Sequence, residues 1–122
     1  MAAPNIVNVT SIYGKTMGAA LSTTVSTSIL TCPANKVLKI NSIIVANVDG
    51  SNAADATVQF YDSSATATYR LANTISVPAD STLVVISKDT AIYLEESDEI
   101  RAGASAASDL DIIISYEELD DA

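Results

Sequence analysis

Histidine and tryptophan are missing from this 122-residue chain, and cysteine and phenylalanine occur once each. General acid-base work near neutral pH is carried most often by histidine; without it the task falls to Asp, Glu or Lys with a pKa displaced by burial. No G-x-S-x-G elbow, P-loop or G-x-G-x-x-G run is present, so the many serines and threonines read as strand and loop formers. Glu95 and Asp98 are close enough in sequence to suggest paired carboxylates for glycoside hydrolysis. Such sites need a cleft, commonly walled by aromatics, whereas Tyr13, Phe60, Tyr61, Tyr69, Tyr93 and Tyr116 stand on separate segments and read as core or flank packing. These absences argue against an enzyme, and no catalytic residue or cofactor is expected. Cys32 alone excludes an intramolecular disulfide and leaves no ordinary zinc ligand set; next to Pro33, it reads as a small buried apolar residue. The apolar runs, SIIVANV among the longest, are too short to span a bilayer. MAAPNIVNV has neither the basic region nor the apolar run of a signal peptide, so synthesis in a cytoplasm is the expectation.

Basic residues are scarce as well, six against fifteen acids, and they are unevenly placed. Lys15, Lys36, Lys39, Arg70 and Lys88 precede Asp89; from Asp89 onward only Arg101 offsets the acids. An acidic field repels phosphate backbones and anionic bilayers, so neither nucleic acid nor a membrane is an expected partner. With 48% hydrophobic and 17% charged residues, the chain has the composition of a folded domain. Its length suits one domain.

What is abundant is Val, Ile, Thr and Tyr in short runs, punctuated by Gly, Asn, Asp, Ser and Pro, with no 3.6-residue apolar stripe. The pattern predicts strands over 6–13, 19–31 with a break near Thr24, 36–48, 56–62, 67–77, 82–87, 91–95, 98–104 and 109–117. Eight or nine strands in so short a chain imply an all-β sandwich, jelly roll or small barrel. The domain is expected over 6–117, preceded by an extended arm at 1–5 and followed by a frayed acidic tail at 118–122. Three segments, 36–48, 83–86 and 112–114, are apolar on both sides of the pleat. A sandwich covers one face of each strand, so the second face implies a neighbour, such as another copy of the chain.

Three turns are legible. VDGSNAADA, around Asp49 and Gly50, reads as an exposed hairpin loop. Pro78 in VPAD must end a strand, having no donor for a ladder. EESDE gathers Glu95, Glu96, Asp98 and Glu99 at a bend, with Ile100 returning to the core. The spaced oxygen ligands of a calcium loop are absent there, so the four carboxylates are expected to lie in solvent at the apex, with no metal. Pro4 keeps the chain extended before Ile6, and an extended arm can add backbone hydrogen bonds to a neighbour's sheet edge. Ala3, Pro4, Asn5, Ile6 and Val7 are therefore the expected partner interface.

The run KVLKINSIIVANVDGSNAADATVQFYD, followed by ISVPADSTLVVISKDTAIYLEESDEIRAGASAASDLDIIISYEEL, resembles small virion structural proteins of tailed bacteriophages, particularly those of marine and cyanobacterial hosts. The likeness covers residues 5–119 and departs at Ser97, where related proteins often carry glycine. It implies an eight- to nine-stranded antiparallel β-sandwich of jelly-roll type without enzymatic activity, located on the virion. A capsid decoration or cement subunit is the role implied first: commonly a homotrimer, bound to the major capsid protein or other virion proteins. A tail, neck or fibre component is the alternative, and a ligand-binding β-domain or a cellular interaction module are the readings from other classes.

Overall fold

The computed structural model describes residues 10–120. Their period-2 alternation forms nine strands: β1 (Ser11–Ala20), β2 (Ser28–Thr31), β3 (Lys36–Asn47), β4 (Ala54–Asp62), β5 (Ala67–Val77), β6 (Thr82–Ile86), β7 (Ile92–Leu94), β8 (Glu99–Ala104) and β9 (Leu110–Asp120). One sheet has the order β1-β9-β3-β6, with β7 also paired to β3; the other has the order β2-β8-β4-β5. Every ladder is antiparallel. β6 and β7 pair with successive parts of β3 and are joined by a 3-10 turn, Lys88–Thr90, so together they make one interrupted edge strand. The resulting alternation between sheets along the chain is that of a jelly-roll sandwich.

The two inner faces are unequal. The five-stranded sheet contributes Leu38, Ile40, Ile43, Val45, Leu110, Ile112 and Ile114; the four-stranded sheet contributes Ala54, Ala56, Val58, Ile100, Ala102 and Ala104. Mostly large side chains from one layer meet mostly small ones from the other, which lets the sheets pack closely. Each fully buried Ile or Leu contributes about 1.5–3 kcal/mol relative to exposure. Ile100 lies fully buried after its bend and β5 stops at Val77 ahead of Pro78, both as the sequence pattern requires.

Several local readings are corrected. The break expected near Thr24 is a loop over residues 21–27, after which β2 begins at Ser28; the misplaced strand is β1, which runs from Ser11 to Ala20 through 14–18, where the pattern left a gap between strands. Ser, Thr and Val in that loop have strand propensity, but β8 decides their path. The Ala104 and Ala102 amides donate to the carbonyls of Ser22 (2.8 Å) and Thr27 (3.1 Å), and the loop passes over Gly103 between them. A Cβ at Gly103 would lie 2.6 Å from the Val25 Cα, so only glycine admits this approach. The Asp49-Gly50 loop is no hairpin, because β3 and β4 lie in different sheets. The hairpin with adjacent strands joins β4 to β5 through residues 63–66, where Thr66 takes a φ of 50°. Finally, β9 continues through Glu118, Leu119 and Asp120 rather than ending at 117 in a frayed tail, because those residues pair with both β1 and β3.

Candidate interaction surface

Because Ile112 and Ile114 face the core, Asp111, Ile113, Ser115 and Glu117 of β9 face outward. The ladder places Gly18 of β1, Ile113, Ile44 of β3 and Val84 of β6 in one row across the outer face of the larger sheet. Val84 is 60% exposed and Ile113 38%, while Ile44 between them is half-buried. The adjoining row is Thr16, Ser115 and Ser42, with Thr16 Oγ1 and Ser115 Oγ 3.2 Å apart. The next row on the other side carries Ala20, Asp111, Ala46 and Thr82. This is a sheet face of small side chains crossed by an apolar row, and small side chains let another protein layer approach closely. It accounts for the two-faced apolar runs in 83–86 and 112–114.

β9 lies between β1 and β3, which brings two lysines of the N-terminal part to its carboxylates. Lys15 on β1 donates to the buried Glu118 carboxylate at 2.9 Å, and Lys36 on β3 pairs with Asp120. Each carboxylate holds its lysine above the usual ammonium range, the direct hydrogen bond being the larger cause. On the outer face of the smaller sheet, Arg101 donates to Glu99 at 2.8 Å, and its guanidinium lies 3.9 Å above the Tyr61 ring. Phe60 and Tyr69 stack with centroids 6.4 Å apart. The expectation that the aromatics pack in the core or on its flank is met by Phe60 and Tyr116 against the core and by Tyr61 beneath Arg101; Tyr13, Tyr69 and Tyr93 are about half exposed, because they stand on edge strands with cover on one side only.

The EESDE bend is only partly a solvated apex. Asp98 is 4% exposed, and its carboxylate accepts the Ser63 amide at 2.9 Å and the Glu95 amide at 3.0 Å. It therefore ties the bend to the β4–β5 turn. Ser97 takes the left-handed conformation, φ 69°, which glycine favours, and its amide reaches the Cys32 carbonyl at 3.0 Å. Glu99 is half-buried in its pair with Arg101, and only Glu95 stands fully in solvent as expected of all four carboxylates. Among the described residues no group of three or more His, Cys, Asp or Glu side chains is arranged to hold a metal ion. Cys32 is buried and donates to the Lys36 carbonyl at 3.2 Å; burial pushes its thiol up to about 11. It is a packing residue rather than an activated thiolate.

The partner residues expected from sequence, Ala3, Pro4, Asn5, Ile6 and Val7, lie outside the described residues, as does the whole arm at 1–5. What sequence reading missed is the row of Gly18, Ile44, Val84 and Ile113: the runs holding Ile44, Val84 and Ile113 were visibly two-faced, but Gly18 fell between expected strands, and the meeting of all four depends on the register of four strands. No protein-family profile matches the chain, and no curated protein is significantly similar to it.

Proposed function

We propose that this chain is a non-enzymatic structural subunit of a tailed-phage particle, of the capsid decoration or cement kind. The observation that carries the reading is the outer face of the larger sheet, where Ile113, Ile44 and Val84 form an apolar row among small residues. Such a face suits broad, dry contact with another protein layer rather than capture of a small molecule. The jelly-roll topology and the resemblance of residues 5–119 to small virion proteins support the same role. Its partners are then the major capsid protein or other virion proteins. The face supplies a surface on which copies or shell subunits can meet.

Two measurements test this. The gene should lie beside capsid or tail genes, and the purified chain should co-sediment with empty shells assembled from the neighbouring capsid gene. Val84→Asp combined with Ile113→Asp should abolish co-sedimentation while leaving the far-UV spectrum unchanged, since both side chains point away from the core. A wild-type chain that stays in the supernatant would overturn the decoration role.

A further inference from the structure

We propose that β1 is a self-pairing edge, and that two copies of the chain join antiparallel through it with Thr16 facing Thr16 of the partner. This rests on backbone geometry and is independent of the virion reading, which shell co-sedimentation tests separately.

Among the described residues four strand edges are unpaired, and they are protected to different degrees. β2 has four residues, and the β6–β7 edge is broken by its 3-10 turn. β5 is bulged, holds Thr74 at a φ of 48° and carries Arg70. Short, bulged or charged edges resist pairing with another chain. β1 has none of these devices over most of its length: ten residues in unbroken register with β9 and no proline. Its one charge, Lys15, is already paired with Glu118. In a chain of net charge −9 this edge carries no acid, so it is a place where two copies can meet with little repulsion.

Backbone parity then selects the register. The Leu21 amide donates to the Leu110 carbonyl at 2.8 Å, one step beyond the ladder pair Ala20 and Asp111. Antiparallel ladders alternate bonded and non-bonded pairs. The odd-numbered residues of β1 therefore turn their N–H and C=O groups toward β9, and Ile12, Gly14, Thr16, Gly18 and Ala20 turn theirs to the opposite edge, which no other described strand pairs. Centring the pair on Thr16 sets Gly14 against the partner's Gly18 and Ile12 against the partner's Ala20. All five outward residues then bond, about ten hydrogen bonds across the pair. The intervening residues fit as well: Tyr13 lies across from the partner's Ala19, large against small, and the Lys15 stem lies across from the partner's Met17. Centring on Lys15 would oppose two ammonium groups directly. An axis between residues would set outward groups against inward ones and turn the faces over. Centring on Met17 carries Ile12 past the end of the strand.

The test uses the full chain. Thr16→Cys should give a covalent dimer under mild oxidation, whereas Gly14→Cys should not, because its counterpart faces Gly18. Wild type, with Cys32 buried, is the blank. Sedimentation of wild type should show the dimer. Thr16→Pro should reduce it to monomer, because proline removes an outward donor and leaves the bonds to β9 in place. Should Thr16→Pro not fold, the two cysteine variants decide. A monomeric wild type, a trimer without Thr16→Cys cross-linking, or equal cross-linking of Gly14→Cys would each overturn the pairing. Protection of the edge amides in a monomer would assign the edge to residues 1–9 of the same chain and overturn it likewise.

Discussion

Asp98 shows how much one carboxylate can hold at a bend. Two backbone amides, from Ser63 and Glu95, converge on it in a site nearly closed to water. Removing it leaves two donors without their acceptor, each worth about 1–3 kcal/mol when buried. Asp98→Ala should therefore lower stability by about 2–4 kcal/mol in denaturant titration. The exposed neighbour Glu95→Gln should change it by less than about 0.5 kcal/mol. Thr66 makes the opposite case. A β-branched residue at φ 50° in an exposed turn is strained, so Thr66→Gly should raise the melting temperature by the equivalent of about 0.5–1 kcal/mol. Cys32 sets a pH dependence. Its folded-state pKa of about 11 stands above the ordinary 9.0, so between these values the unfolded chain releases a proton that the folded chain retains. Stability is then full below pH 9 and falls as pH rises toward 11. Lys15 and Lys36, raised by their carboxylates, act in the same direction at still higher pH. Melting temperature measured across this range should decline, and Cys32→Ala should flatten the decline between 9 and 11.

At the scale of elements, β9 is the strand on which the larger sheet depends, since it alone pairs with both β1 and β3. Its last residues are integral to that role: Glu118 receives Lys15, Leu119 is buried opposite Val37, and Asp120 receives Lys36. A chain ending at Glu117 should lose about 2–4 kcal/mol from the buried leucine and the lost ladder ends, read as a lower denaturation midpoint. A dispensable tail would leave the midpoint unchanged. The β1–β2 loop offers a second test. Gly103→Ala places a methyl group against backbone that cannot rotate away, so it should cost about 1–3 kcal/mol and displace residues 22–27.

For the whole molecule, the pairing of β1 with β9 joins the two ends of the described chain, and β3 also waits for β9. Contacts of such sequence separation carry their loop-closure cost before any gain, so refolding should be a single cooperative phase in milliseconds to seconds. Stopped-flow fluorescence from the tyrosines would measure it; microsecond folding would contradict this topology. The same closure offsets part of the acidic charge at the C-terminal end: β9 lies between strands whose Lys15 and Lys36 pair with Glu118 and Asp120.

The all-β class and most strand positions were determined by sequence alone, because period-2 alternation and the Pro78 stop are local properties. The return of Ile100 to the core, the end of β5 at Val77 and the gap between strands at 63–66 follow from the same rules. Tertiary structure decided what distant residues do to one another. Residues 21–27 had strand propensity but were bent outward by Gly103 of β8; Asp98 looked like a surface acid until Ser63 donated to it; residues 118–120 looked like a tail until β1 and β3 supplied partners on both sides. The apolar row of Ile44, Val84 and Ile113 was likewise undetermined by any single run, since a shift of one residue in any of three strands would scatter it to opposite faces. Alternation fixes which side chains share a face of one strand, and only the ladder register fixes which strands they share it with.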